Sequence, residues 1–76
     1  MGENAVRKRV DHREREQRAL QKELRGTMQA LQANETAFRE AQDPFYIEQL
    51  TYQHAALMCR CRALLRMLRS SGGADP

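Results

Sequence analysis

The clearest pattern along this chain is an apolar stripe in its second half. Apolar or weakly polar residues recur there at alternating steps of three and four: Ile47, Leu50, His54, Leu57, Cys61, Leu64 and Leu68. The steps average about 3.5 residues, close to the α-helical period of about 3.6, so one face of a helix stays apolar throughout. The pattern predicts an amphipathic helix over about residues 44–69 that packs lengthwise against another helix.

A second stripe in the first half predicts that other helix, over about residues 17–42. Leu24, Leu31 and Phe38 recur every seven residues, and three further residues flank them: Leu20, Met28 and Ala41. Gly26 interrupts this helix at a cost of about 1 kcal/mol relative to alanine. The glycine either lets a partner helix approach closely or is a tolerated weak point, and we favour the second interpretation.

Residues 1–16 are richer in charge than in apolar side chains. We expect this segment to be either a solvated extension of the helix, stabilised by pairs such as Glu14 with Arg18, or a frayed arm.

Asp43-Pro44 separates the two predicted helices. Aspartate is a good N-cap, and proline suits the first helical position because its missing N–H costs nothing there. A link this short makes the helices antiparallel neighbours. We therefore predict an all-α antiparallel two-helix hairpin over residues 17–70, followed by a flexible tail at 71–76. The expected hairpin core is Leu20, Leu24, Leu31, Phe38, Ile47, His54 and Cys61.

The second helix is apolar over a wider face than one neighbour can cover. A chain of 76 residues is also small enough to need a staple or self-association for stability. Both features favour a homodimer of hairpins, that is, a four-helix bundle. The residues predicted to form its interface are Leu50, Leu57, Met58, Leu64, Leu65 and Leu68.

The distribution of charge suggests an alternative function, the binding of an anionic partner. The formal net charge is +3, and Gln49 to Ala74 contains four arginines and no acid. Arg62, Arg66 and Arg69 therefore form a candidate patch for an anionic partner, either nucleic acid, an acidic protein or a lipid surface. Acidic residues nearby in the first helix and the lack of accompanying aromatic side chains favour a solvated face instead.

The sequence predicts no catalytic, cofactor or metal site. It contains no phosphate-binding glycine loop, no nucleophile turn and no spaced ligand cluster. His54 is interpreted as a structural, hydrogen-bonded residue, because Cys61 lies about 10 Å further along the same helix, too far to share an ion. Cys59 and Cys61 point to opposite sides of a helix and are expected to be reduced. We expect a cytoplasmic protein with no membrane span.

The segment from about residue 28 to 69 resembles the YaaL-like family of short bacterial proteins. The resemblance rests on Leu31-x6-Phe38, Asp43-Pro44, and then Ile47, Tyr52, Ala55-Ala56, Arg60, Leu64-Leu65 and Arg69. The chain departs from the pattern of that family at Cys59 and Cys61, where such proteins often carry an aromatic residue. The resemblance implies a two-helix cytoplasmic protein of unknown function. Members of that family are often encoded near recombination-repair genes, which slightly favours a nucleic-acid-associated function.

Together these observations predict a small, non-catalytic protein–protein interaction module, an adaptor or regulatory subunit that self-associates. The alternative is a nucleic-acid-associated protein that uses the basic open end of the hairpin.

Overall fold

The computed structural model describes the backbone of residues 2–71 and the side chains of residues 11–71. Within that range the chain forms two α-helices, α1 (Gly2–Glu40) and α2 (Pro44–Ser71), which pack along each other. The chain measures 63 × 20 × 15 Å. Its width is two helix diameters and its thickness little more than one. The predicted all-α helical hairpin is confirmed.

The turn between the helices is built by Asp43 and Pro44. The Asp43 carboxylate (Oδ2) accepts a hydrogen bond from the Tyr46 N–H at 2.9 Å, and the Asp43 carbonyl accepts the first helical bond from the Ile47 N–H at 3.0 Å. Asp43 is thus the N-cap and Pro44 the first helical residue of α2. The link of residues 41–43 leaves no room for any arrangement other than side-by-side antiparallel helices.

Helix α1 is longer than its partner, because it begins at Gly2 and includes the charged segment that precedes the predicted hairpin. Residues 11–16 are exposed, and Gln17 is the first half-buried side chain within residues 11–71. The predicted pair of Glu14 and Arg18 is present, with 3.8 Å between Oε2 and Nη2. The predicted tail lies outside the described residues, apart from Ser71, which ends α2.

The core is a thin seam between the helices. Leu50 and Leu64 are buried, as is one polar residue, Asn34, which is 4% exposed. The half-buried seam residues are Gln17, Leu20, Leu24, Thr27, Leu31, Ala37 and Ala41 in α1, and Ile47, Leu57, Cys61 and Leu68 in α2.

Asn34 fixes the register of the two helices. Its amide nitrogen donates to the Leu50 carbonyl and to Gln53 Oε1, both at 3.0 Å, so both of its N–H groups are used. A buried amide that is satisfied in only one alignment specifies that alignment, as a polar seam residue does in a coiled coil.

Two predicted core residues lie elsewhere. Phe38 is 46% exposed and His54 is exposed. Close to the tight turn, the smaller Ala37 and Ala41 face α2, so Phe38 is turned off the seam. Asn34 and Leu50 occupy the centre at the level of His54, so the histidine points to the side of the seam. The prediction that His54 and Phe38 belong to the hairpin core was wrong.

Gly26 has open space around it. A methyl group built on it would meet no atom within 4 Å, so no part of α2 requires a glycine there. Close approach by α2 therefore does not explain the glycine, and the weak-point interpretation stays a prediction.

A candidate protein-binding surface

A hairpin one helix thick has two broad flanks, each lined by side chains of both helices. On one of them, called the polar flank here, two contacts bridge α1 and α2. Glu23 pairs with Arg60 through Oε2 and Nη2, and Asn34 bonds to Gln53. Glu23 and Arg60 are each about half exposed, so this pair contributes less than about 1 kcal/mol. Polar side chains therefore complete the contact between the helices on this flank.

The opposite flank, called the groove flank here, exposes large apolar side chains among polar ones. Phe38 and Met28 of α1 are 46% and 54% exposed, and Leu65 of α2 is also exposed. A shallow groove of about 390 Å³ runs between the helices at the end of this flank nearest the turn. It is lined by Asn34, Glu35, Phe38, Arg39, Thr51 and His54.

Helical geometry places these residues on one side. Each residue advances about 100° around the axis, so Thr51, Met58 and Leu65, at steps of seven, follow one edge of α2. Thr51 lines the groove beside Phe38. Gln53 and Arg60, which contact α1 on the polar flank, follow the opposite edge. Met58 and Leu65 therefore continue the groove flank toward the open end of the hairpin.

The six predicted interface residues divide into two groups. Leu50 and Leu64 are buried against α1, and Leu57 and Leu68 are half-buried in the same seam. Leu50 and Leu64 have no surface left for contact with another chain, which corrects their assignment to an interface. Leu57 and Leu68 keep part of their surface, as the half-buried Met58 does. Met58 and Leu65 lie at the edge of the seam, on the groove flank.

The predicted basic patch is exposed. Arg62, Arg66 and Arg69 lie on the surface of α2 and form no ion pair with any side chain of residues 11–71. The corresponding end of α1 mixes charges, and Arg18 is engaged by Glu14 there. The arginines of α2 are therefore the more uniform cationic surface.

The described residues contain little that suggests chemistry. No group of three histidine, cysteine or acidic side chains among them is placed to hold a metal ion. Cys59 is exposed, Cys61 is half-buried, and both are free thiols. Neither α1 nor α2, as far as the structure describes them, is long and apolar enough to cross a membrane.

Asn34 is the important residue that the sequence interpretation missed. A signal for it exists, because Leu20, Leu24, Thr27, Leu31, Asn34, Phe38 and Ala41 alternate at steps of four and three. Searching only for apolar residues omitted the two polar members, Thr27 and Asn34. Including them would have identified Asn34 as a seam residue in need of hydrogen-bond partners.

Comparisons of the chain with protein-family models, with curated proteins and with solved structures found no significant match. The resemblance to the YaaL-like family stays a prediction from the sequence.

Proposed function

We propose that this protein is a non-catalytic interaction module that self-associates through its groove flank into a dimeric four-helix bundle. The observation that carries the proposal is that both helices expose large apolar side chains on the groove flank. Phe38 and Met28 from α1 and Leu65 from α2 are all exposed there. Large apolar side chains that two elements expose on one flank are typical of an interaction site rather than of a solvated face.

The groove flank reaches the lower limit of the size range of specific interfaces. Asn34 lies beside Leu50, and Glu23 beside Arg60, so Leu65 is level with about residue 19 of α1. From there to Phe38 the flank is roughly 28 Å long at 1.5 Å per residue. With a width of 20 Å, two copies would together cover roughly 1,100 Å² in projection. Specific interfaces begin near about 1,000 Å².

A second copy is the occupant that suits the groove flank best. An apolar surface is self-complementary, and a two-fold axis brings the same patch of both chains together. The rim of the groove carries one acid, Glu35, and one base, Arg39, so the formal charges at the groove itself balance. Packing hairpin on hairpin would bury Met28, Phe38, Met58 and Leu65 in one core.

Sedimentation velocity of the full chain and two double variants tests the proposal. We expect the unaltered chain to sediment as twice its 8.8 kDa mass at about 50 µM. Phe38→Ser with Leu65→Ser should sediment as a monomer, because both changes remove apolar surface from the groove flank. The matched control, Phe45→Ser with Tyr52→Ser, removes two large exposed side chains from another face and should remain a dimer.

Circular dichroism on the same samples shows whether the helices persist. A helical, monomeric unaltered chain would contradict the proposal. So would a groove-flank variant that stays dimeric, or a control variant that dissociates while remaining helical.

A further inference from the structure

A second apolar stripe follows the outer side of α2, away from α1. Phe45, Tyr52 and Cys59 recur every seven residues. Ala56 and Ala63 lie between and beyond them, at the steps of four and three of a second heptad pattern. Each of the first three is two residues from a seam position, hence about 200° around the helix axis from it. We call Phe45, Tyr52, Ala56, Cys59 and Ala63 the outer stripe; all are exposed except Ala63, which is half-buried.

The aromatic residues of the outer stripe are the most exposed large apolar side chains among residues 11–71. Phe45 is 80% exposed and Tyr52 is 69% exposed. Neither lines the groove nor contacts the seam, so hairpin packing does not explain them. A dimer formed through the groove flank would leave them uncovered as well, because they lie on the far edge of α2.

The charges beside the outer stripe indicate the chemistry of what covers it. Beyond Glu48, the described part of α2 carries only cationic charges: Arg60, Arg62, Arg66 and Arg69. Arg60 is paired with Glu23, whereas Arg66 continues the stripe by one further heptad and Arg62 and Arg69 lie at its edge. The stripe is thus aromatic toward the turn and cationic toward the open end. A ligand that matches it is apolar over one half and anionic over the other.

We propose that the outer stripe of α2 is a docking seam for an amphipathic helix of another protein, with acidic residues in the half that lies over Arg62, Arg66 and Arg69. A helix is the partner that fits a heptad pattern, because its own apolar residues recur with the same period. Acidic residues of the partner would complement the arginines of α2, which have no acidic neighbour in the described part of that helix beyond Glu48. The proposal concerns a different face from the groove flank and does not depend on self-association.

Two designed peptides test it by fluorescence anisotropy with the full chain. Both have about four heptads with leucine at the a and d positions. One carries glutamate and the other lysine at the flanking e and g positions, and each bears a dye. We expect the glutamate peptide to bind and the lysine peptide to bind at least about tenfold more weakly. Raising the salt from about 50 mM to about 500 mM should narrow that difference.

Three double variants locate the binding surface. Phe45→Ser with Tyr52→Ser should weaken binding of the glutamate peptide by about tenfold or more, because aromatic side chains dominate such contacts. Arg62→Glu with Arg66→Glu should reverse the preference toward the lysine peptide. The groove-flank control, Phe38→Ser with Leu65→Ser, should bind as the unaltered chain does. Circular dichroism checks that all three remain helical.

Several results would overturn the proposal. Equal binding of the two peptides, or binding of neither, would remove the charge argument. Unchanged binding in the Phe45 and Tyr52 variant, or loss only in the groove-flank control, would place the peptide elsewhere. A dye-labelled single-stranded oligonucleotide that binds more tightly than the glutamate peptide, and loses binding in the Arg62 and Arg66 variant, would assign the arginines to nucleic acid instead.

Discussion

The two flanks of the hairpin are formed by the same pair of helices and differ in the side chains that they present. On the polar flank, Glu23 pairs with Arg60 and Asn34 bonds to Gln53, so α1 is connected to α2 by groups that also tolerate water. On the groove flank, Phe38 and Leu65 extend outward from the seam with large apolar areas exposed.

The difference shows that one helix buries only part of the apolar surface of the other. A single neighbour covers a narrow seam, and everything at its two edges must be solvated or find a further partner. Along one edge, polar pairs link the two helices within the chain, although Tyr46 and Met67 of α2 also remain 43% and 45% exposed there. The apolar residues at the other edge have no such solution within one hairpin, and this is the physical basis for proposing a second copy.

The adjacent residues Leu64 and Leu65 give the largest contrast between seam and flank. Leu64 is fully buried, so Leu64→Ala should lower the free energy of unfolding by about 2–5 kcal/mol and abolish most of the helix signal. Leu65→Ala removes a partly exposed side chain and should cost the isolated hairpin less than about 1 kcal/mol while weakening association. Urea titration followed by circular dichroism measures both. Equal destabilisation by the two changes would show that the seam and the flank are not distinct.

Asn34 tests whether the seam is held by hydrogen bonds as well as by burial. Asn34→Ala should lower the free energy of unfolding by about 1–3 kcal/mol, because both amide hydrogen bonds to α2 are lost. Asn34→Leu is the informative companion. It restores apolar volume and should recover stability while permitting more than one alignment of the helices, visible as extra or broadened amide resonances by NMR. A single sharp set of resonances for Asn34→Leu would argue against a role in register.

A substitution at Gly26 should stabilise the protein, in contrast to those at Leu64 and Asn34. Since a methyl group there meets open space, Gly26→Ala is expected to raise the free energy of unfolding by about 0.5–1 kcal/mol through helix propensity and reduced freedom of the unfolded chain. Thermal unfolding at a fixed concentration measures the effect. A loss of stability would mean that a second molecule packs closely against Gly26.

The smallest effect belongs to the ion pair of the polar flank. Glu23→Gln should lower the free energy of unfolding by about 0.2–1 kcal/mol at low salt and by less at high salt, because both partners are about half exposed. Glu16→Gln, at an exposed position of α1 without an ion pair to another described residue, is the matched control. A salt-independent loss would show that packing of the glutamate stem matters more than its charge.

The elements of this fold follow from local signals, whereas its surfaces do not. Asp43-Pro44 predicts both the helix start and the tight turn, and the recurrence of Leu24 with Leu31 and of Leu57 with Leu64 predicts which helix faces meet. The rotation of each helix about its own axis depends on how side chains of unequal size share the seam. Small residues near the turn exclude Phe38, and Asn34 with its two hydrogen bonds displaces His54. Heptad spacing is too coarse to specify a rotation of that size.

The prediction of the interface was limited in the same way, because it also depends on how each helix is rotated about its axis. The apolar periodicity of α2 indicates more surface than α1 covers. The predicted interface, however, did not separate Leu64, which α1 covers, from Leu65, which lies about 100° away around the axis. That separation requires the seam to be located first, and Asn34 locates it.

Methionine methyl groups offer the most direct test of where two copies meet. Met28 and Met58 belong to the groove flank, whereas Met67 lies on the other edge of α2. In a sample that mixes methyl-labelled chains with unlabelled chains, isotope-filtered NMR detects contacts between copies only. We predict cross-peaks from Met28 and Met58 to the Phe38 ring of the other copy and none from Met67. Intermolecular contacts from Met67 alone, or a folded sample without any, would contradict the account.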